Sequence, residues 1–342
     1  MRGTKVLAIL VLGFITFGVL PAEANRHHHR RGTIEDLLEL DVKPFAIAHR
    51  GFGDNIATND LGPADATRPI ENTVAAVRKG FRAGARVVEV DVQLTRDGRV
   101  AVFHDDFLAD KTCLNQLTFA ALQDRLPFVP SLEAVLDTAR AFNDHADSLS
   151  GLLIIELKAA APLCDPHDTQ DRAIVRAVSH LVRRAGMTRQ VLFTSLSPVL
   201  LLLASEHAPE IKRDLEISGL QFLTAPEVQK LLGFPVTLVA KHPDLGLQWA
   251  EIGPIYRLPG YRSIDEVIRT ALLVRARVIE ADLFFFQSAG KPYVDAVHAV
   301  GLKTLGYTAT TPQEWFFLES LGVDGIYVKD VRFGIANEAP IP

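Results

Sequence analysis

Strand-like and helical runs alternate along almost the whole of this 342-residue chain, and nothing else in it restricts the fold as much. Short apolar runs near 45–49, 87–92, 100–103, 152–157, 191–194, 278–286, 302–307 and 325–328 read as strands. Helical spacing covers 72–83, 131–142, 172–185, 198–206 and 292–300, with a short helical turn at 118–122. A strand followed by a helix, repeated, builds a parallel sheet, because the helix carries the chain back to start the next strand in the same direction. At this length a closed barrel fits better than an open doubly wound sheet. The expected fold class is therefore α/β, a single-domain TIM-type (β/α)8 barrel over 45–335. No linker or internal repeat marks a second domain, although 48% hydrophobic content would supply the cores of two. No GxGxxG follows the first strand, which argues against a dinucleotide site.

The middle of the chain fits this scheme least. Strand-like pieces near Arg213–Ser218 and Val236–Lys241 give more candidates than a barrel has places. Asp244 to Arg262, rich in Gly, Pro and aromatics, reads as a long loop without an assignable role. Leu283 to Phe286 reads as core at strand spacing rather than as a lipid contact.

The N-terminus reads as a processing segment. Arg2 and Lys5 precede an uncharged apolar run from Val6 to Leu20, and Ala22-Glu23-Ala24 follows as a small-x-small cleavage site. The run is shorter than the roughly 20 residues that span a bilayer. A signal peptide over 1–24 and an extension over 25–44 are expected, with an uncleaved anchor as the alternative. Export to the periplasm or the medium follows, without stable membrane insertion after cleavage. His27-His28-His29 reads as a solvated start to the mature chain, although such tracts also bind metal. A net charge of −5 argues against nucleic acid as a partner. Export permits a disulfide between Cys113 and Cys164, the two cysteines; two separate thiols are the alternative.

Chemistry gathers where the early strands end. Glu89 and Asp91, two apart in VVEVDV, point to one face of a strand. Carboxylates that close repel unless a cation shares them. Glu156 and Lys158 repeat the spacing in LLIIELKAA, either as an ion pair or as part of the same site. Three carboxylates would suit Mg²⁺ or Ca²⁺. His49 and His104 each close a strand-like run and suit general acid/base work, the plainer role being a backbone-held structural histidine. Arg50 suits bidentate phosphate binding or an ion pair with these carboxylates. Glu71, in Glu71-Asn72-Thr73, either caps a helix or reaches into the site to orient Arg50 or a ligand.

In these residues the chain resembles the glycerophosphodiester phosphodiesterase family. The matching pieces are His49-Arg50-Gly51, Glu71-Asn72-Thr73, Glu89-Val90-Asp91-Val92, Thr95-Arg96-Asp97-Gly98, His104-Asp105, Glu156-Leu157-Lys158 and Leu321 to Ile326, in order across nearly the whole mature chain. The resemblance implies a TIM-type barrel, a divalent cation (Mg²⁺ or Ca²⁺), and hydrolysis of a small-molecule glycerophosphodiester to glycerol phosphate and an alcohol. It implies Glu89, Asp91 and Glu156 as metal ligands, His49 and His104 as the acid/base pair, and Arg50 and Lys158 on the phosphate. Three features depart from the family: a long insertion from Phe52 to Ile70, Leu305-Gly306-Tyr307-Thr308 where the family often carries Trp, and Val328-Lys329-Asp330 near the end. Two other readings remain. One is a phospholipase-D-like enzyme of the same superfamily acting on lysophospholipids or sphingolipids. The other is a non-catalytic exported binding protein on the same scaffold. A glycosidase is disfavoured, since Glu89 and Asp91 lie too close to flank a sugar bond. In a barrel the His104 and Glu156 strands would be neighbours, which favours the Cys113–Cys164 bridge.

Overall fold

The computed structural model describes residues 31–40, 44–55, 65–144, 149–239 and 245–338. The expected signal peptide, the His27–His29 tract and residues 56–64 of the 52–70 segment lie outside the described residues.

The described residues form twelve strands: β1 (Phe45–Ala48), β2 (Val87–Leu94), β3 (Val100–Val102), β4 (Leu152–Leu157), β5 (Val191–Ser195), β6 (Lys212–Ile217), β7 (Val236–Val239), β8 (Gln248–Ile252), β9 (Tyr256–Gly260), β10 (Val278–Asp282), β11 (Lys303–Ala309) and β12 (Gly325–Val328). The helices are α1 (Ile34–Leu38), α2 (Val74–Arg82), α3 (Phe119–Arg125), α4 (Leu132–Asn143), α5 (Asp171–Arg184), α6 (Pro198–His207), α7 (Ala225–Leu232), α8 (Ile264–Leu273), α9 (Leu283–Ala299), α10 (Pro312–Leu321) and α11 (Val331–Asn337). Eight parallel strands run in the order β1-β12-β11-β10-β6-β5-β4-β2, and β2 pairs back onto β1 to close a (β/α)8 barrel. Among the described residues no helix is long and apolar enough to cross a membrane.

Side-chain alternation divides each strand between two cores. Val88, Val90 and Val92 face outward to the helical layer, as do Leu153, Ile155 and Leu157. Val87, Leu152, Ile154, Leu192, Val278 and Leu305 face inward and form the apolar half of the barrel interior. The helices supply the other side of the outer core: α5 buries Ile174, Val175, Val178 and Val182 on one stripe and exposes Arg172, Arg176, Arg183 and Arg184. Part of the expected extension closes the barrel where its strands begin. Thr33 and Asp36 form a capping box that starts α1, and Ile34, Leu37 and Leu38 pack into the interior.

Four expectations about elements change. The 100–103 run is not a barrel strand: β3 pairs antiparallel with β2 outside the closed sheet. Its place belongs to β6, the strand-like piece at Arg213–Ser218, inserted between β5 and β10. The 278–286 run is two elements, because Asp282 accepts the Phe285 N–H at 2.7 Å and starts α9 there. Phe285 and Phe286 are buried as helical residues, while Phe284 is half exposed. Finally, 245–262 is no loop. β8 and β9 form a hairpin that β7 joins as a third antiparallel strand. The Gly253-Pro254 turn and Pro259 within β9 gave this hairpin the composition of a loop.

Candidate active site

The rule that turns Val87 inward also turns Glu89 and Asp91 inward, because residues two apart on a strand share a face. β4 lies beside β2 with Asp91 opposite Glu156, so a third carboxylate joins them. One oxygen from each of Glu89, Asp91 and Glu156 lies within 4.8 Å of the others. Burial, then Asp91 and Glu156, push the Glu89 carboxyl well up. Burial, then Glu216, do the same to Glu156. Asp91 is held well down despite its burial, by His104, Lys158 and Arg50. Lys158 Nζ sits 3.1 Å from Glu156 and 3.6 Å from Asp91. Three crowded oxygen donors with no sulfur or nitrogen among them fit a hard divalent cation, which would relieve their repulsion.

The β1–α2 connection supplies the next groups. Gly51 has φ of 103°, and a Cβ there would lie 2.6 Å from that of Ala76, so glycine lets α2 approach. Arg50 donates its backbone N–H to Glu89 at 2.8 Å and its Nη1 to Glu71 at 2.9 Å, with Nε 3.5 Å from Asp91. Burial would favour loss of its proton, but Asp91, Glu71, Asp54 and Glu89 hold the guanidinium charged. Glu71 thus orients Arg50 and also accepts the Asn55 N–H at 3.0 Å. Capping of α2 falls to Thr73, whose Oγ1 accepts from Ala76 N–H at 3.2 Å.

The two histidines face the same space. Nδ1 of His49 lies 2.5 Å from Asp54, and its Nε2 lies 3.7 Å from Glu89. Burial works against the Asp54 carboxylate, yet His49, Arg50 and Lys329 hold it well below the usual range. Nδ1 of His104 lies 2.8 Å from Asp105. Burial and then Lys158 push the His104 imidazole down, toward its neutral form. Gln93 fixes the His104 turn by donating Nε2 to the carbonyls of Phe103, His104 and Asp105, at 3.1, 3.0 and 2.7 Å. A cavity of about 350 Å³ is lined by His49, Arg50, Glu89, His104, Glu156 and Lys158 together. Asp91 and Glu71 stand behind it as partners of Arg50. Every site residue read from the sequence is therefore gathered at the ends of β1 to β4.

Several polar neighbours had no role in the sequence reading. Asn72 donates to the Asp91 carboxylate at 2.7 Å and accepts the Asp91 N–H at 3.0 Å. Glu216 and Glu280 line the same cavity from β6 and β10. Glu280 accepts from Thr194 Oγ1 at 2.7 Å and from Tyr327 OH. Burial, then Glu280, push Glu216 up to about 8. Strand spacing applied to KRDLEI and VIEAD, as to VVEVDV, would have found both acids. A neighbouring cavity of about 260 Å³ is walled by His104, Lys158, Trp249, Tyr256 and Arg257. The β8–β9 hairpin forms that wall. Arg257 anchors it through Glu251 at 2.8 Å, through Asp168, and through the Asp165 and Pro166 carbonyls. Cys113 and Cys164 form a disulfide, with Cα atoms 5.5 Å apart, joining the loops after β3 and β4.

The chain is similar to known proteins in sequence and in fold. An uncharacterised protein of Bacillus subtilis is 30% identical over 154 residues, covering 42% of this chain and 59% of that protein. A glycerophosphodiester phosphodiesterase of Caldanaerobacter subterraneus is 38% identical over 65 residues, 19% of this chain and 21% of its own length. In both, the matched stretch spans less than two thirds of the relative. The fold is similar to that of an Oleispira antarctica phosphodiesterase solved with its product sn-glycerol-3-phosphate. There the TM-score is 0.58 at 17% identity, over 86% of this chain and 96% of that one. Residues 49–332 match the profile of the glycerophosphoryl diester phosphodiesterase family, and the chain belongs to that family.

Proposed function

We propose that this protein is an exported, metal-dependent glycerophosphodiester phosphodiesterase, releasing glycerol phosphate and an alcohol. The observation that carries this reading is a cluster of three carboxylates, two of them lining one cavity together with both histidines, Arg50 and Lys158. Glu89, Asp91 and Glu156 would hold Mg²⁺ or Ca²⁺, which when bound neutralises charge on the phosphate. Arg50 and Lys158 bind and orient the phosphate oxygens, Arg50 being held in place by Glu71. One histidine takes the proton of the attacking hydroxyl, and the other gives a proton to the departing alcohol oxygen. The leader-like N-terminus and the Cys113–Cys164 bridge support export.

A second reading, phospholipase-D-like cleavage of lysophospholipids, is favoured by one feature. An apolar cavity of about 670 Å³ between α7 and the β7–β9 sheet shares Leu220 and Leu258 with the catalytic cavity. One product assay separates the readings, run on glycerophosphodiesters and lysophospholipids with chelator or with added Mg²⁺ or Ca²⁺. Cation-dependent glycerol phosphate from small diesters is expected, and a cyclic phosphate in the time course would identify the glycerol hydroxyl as nucleophile. Turnover of lysolipids alone would favour the second reading. Inertness toward both classes would refute an enzymatic role.

A further inference from the structure

The segment between Gly51 and Glu71 has no part in the reaction as described so far, yet its root is built with care. Asn55, buried, donates Nδ2 to the carbonyls of Asp65, Arg68 and Pro69, each at 3.0 Å, and accepts the Asp65 N–H at 2.7 Å. Its own N–H goes to Glu71, the residue that holds Arg50. Arg68 reaches across to the carbonyls of Phe52 and Lys329, each at 2.7 Å, tying the root to the end of β12. Gly53 passes so close to Lys329 that a Cβ would lie 1.8 Å from its carbonyl oxygen. Between Gly53 and Asn55, both immobilised, stands Asp54.

We propose that Asp54 is a positioning residue for His49, and that the clamped root of this segment serves to deliver it. Its Oδ1 lies 2.5 Å from His49 Nδ1 as a buried ion-pair contact outside hydrogen-bond alignment, and Thr308 Oγ1 shares the same nitrogen at 3.4 Å. A carboxylate there holds the proton on Nδ1 and turns Nε2, 3.7 Å from Glu89, toward the reacting groups. His104 obtains the same service from Asp105, its neighbour in sequence, at 2.8 Å. The two pairs differ in shelter. Side chains of His49 and Asp54 are 15% and 21% exposed, against 30% and 37% for His104 and Asp105, so the Asp54 charge is the less screened by water. His104 needs only a turn; His49 depends on a structure built for the purpose.

The inference rests on the phosphodiesterase reading only for its kinetic arm. Wild type, Asp54→Asn and Asp54→Ala are compared in cation-dependent diester hydrolysis. The His49 Nδ1–H is followed by NMR of ¹⁵N-histidine protein, assigned by its loss in His49→Gln. The expected results are a strongly downfield Nδ1–H signal in wild type, its loss in Asp54→Ala, and kcat about 10–100-fold lower in both Asp54 variants with KM little changed. Asparagine keeps the shape and the acceptor but not the charge. Wild-type kcat in Asp54→Asn would therefore overturn the proposal and reduce Asp54 to loop packing. Absence of the downfield signal from wild type would overturn it too, even if neither variant folds. A wild type that shows the signal but hydrolyses no diester supports the pairing and sinks the proposed function instead.

Discussion

At the end of the barrel where its strands begin, Phe45, Ile47, Val87, Leu152, Ile154 and Leu192 close over Ile34, Leu37 and Leu38 of α1. At the end where they finish, the same inward faces carry Glu89, Asp91, Glu156, Glu216 and Glu280. Glu89 lies two positions beyond Val87, and Glu156 two beyond Ile154, so each strand passes from one regime to the other in a single inward step. Every side chain of the first group gains by leaving water, about 1.5–3 kcal/mol for a large aliphatic one. Every carboxylate of the second is costly to bury and is kept by partners, by a proton, or by a cation. Apolar burial is concentrated at one end and ionisable groups at the other, as the barrel architecture allows.

Changes at the acidic end should cost activity and spare the fold. The largest effect is expected from the carboxylate cluster. Chelation, Glu89→Gln or Asp91→Asn should each lower kcat by at least about 10²–10³-fold, the scale of a lost transition-state charge partner. Thermal unfolding of the cation-free protein should not shift downward in Glu89→Gln, because repulsion with Asp91 and Glu156 is relieved. Full turnover in rigorously cation-free protein would contradict the assignment. Next come the histidines: His49→Ala or His104→Ala should lower kcat by about 10²–10⁴-fold. The double variant should lose far less than the product, since the two act in one cycle. Near-normal kcat in either single variant would mark that residue as structural.

The apolar end should respond the opposite way. Leu37→Ala opens a cavity in the plug and should lower unfolding stability by about 2–5 kcal/mol, with kcat at a permissive temperature unchanged. Loss of activity without loss of stability there would break the division between the two ends. The smallest effect is a pH slope. Glu216 is pushed up to about 8 by burial and Glu280, against an ordinary value of 4.5, so the folded cation-free protein holds a proton that the unfolded chain releases. That stabilisation is complete below the unfolded pKa and is lost as pH rises from there through about 8. Glu216→Gln should flatten the fall of melting temperature between neutral and alkaline pH. An unchanged slope would show that Glu216 is already ionised.

Legibility in the sequence followed the same division. The acid pair of β2 was readable because spacing of two needs nothing beyond the strand itself, and Glu156 stood out as a charge closing an apolar run. Glu216 and Glu280 obey the same rule but carry a weaker signal, since the strand-like run at Arg213–Ser218 is one candidate more than a barrel needs, and 278–286 runs a strand into a helix. Asp54 gave no local signal at all. Its meaning comes from a fold-back held by Asn55 and Arg68.

From residue order alone follow the repeating strand–helix units, the inward or outward direction of each strand side chain, and therefore the chemistry available at the strand ends. All of these depend on neighbours a few positions away. Tertiary structure decided which strand-like runs enter the barrel, admitting β6 and excluding β3. It also made a hairpin wall of 248–260, plugged the opposite end with α1, and paired Asp54 with His49. These outcomes turn on closure, in which β1 must meet β12 across nearly the whole chain. No local pattern records which distant partner a strand edge or a carboxylate will find, because that contact exists only after the rest of the barrel has formed.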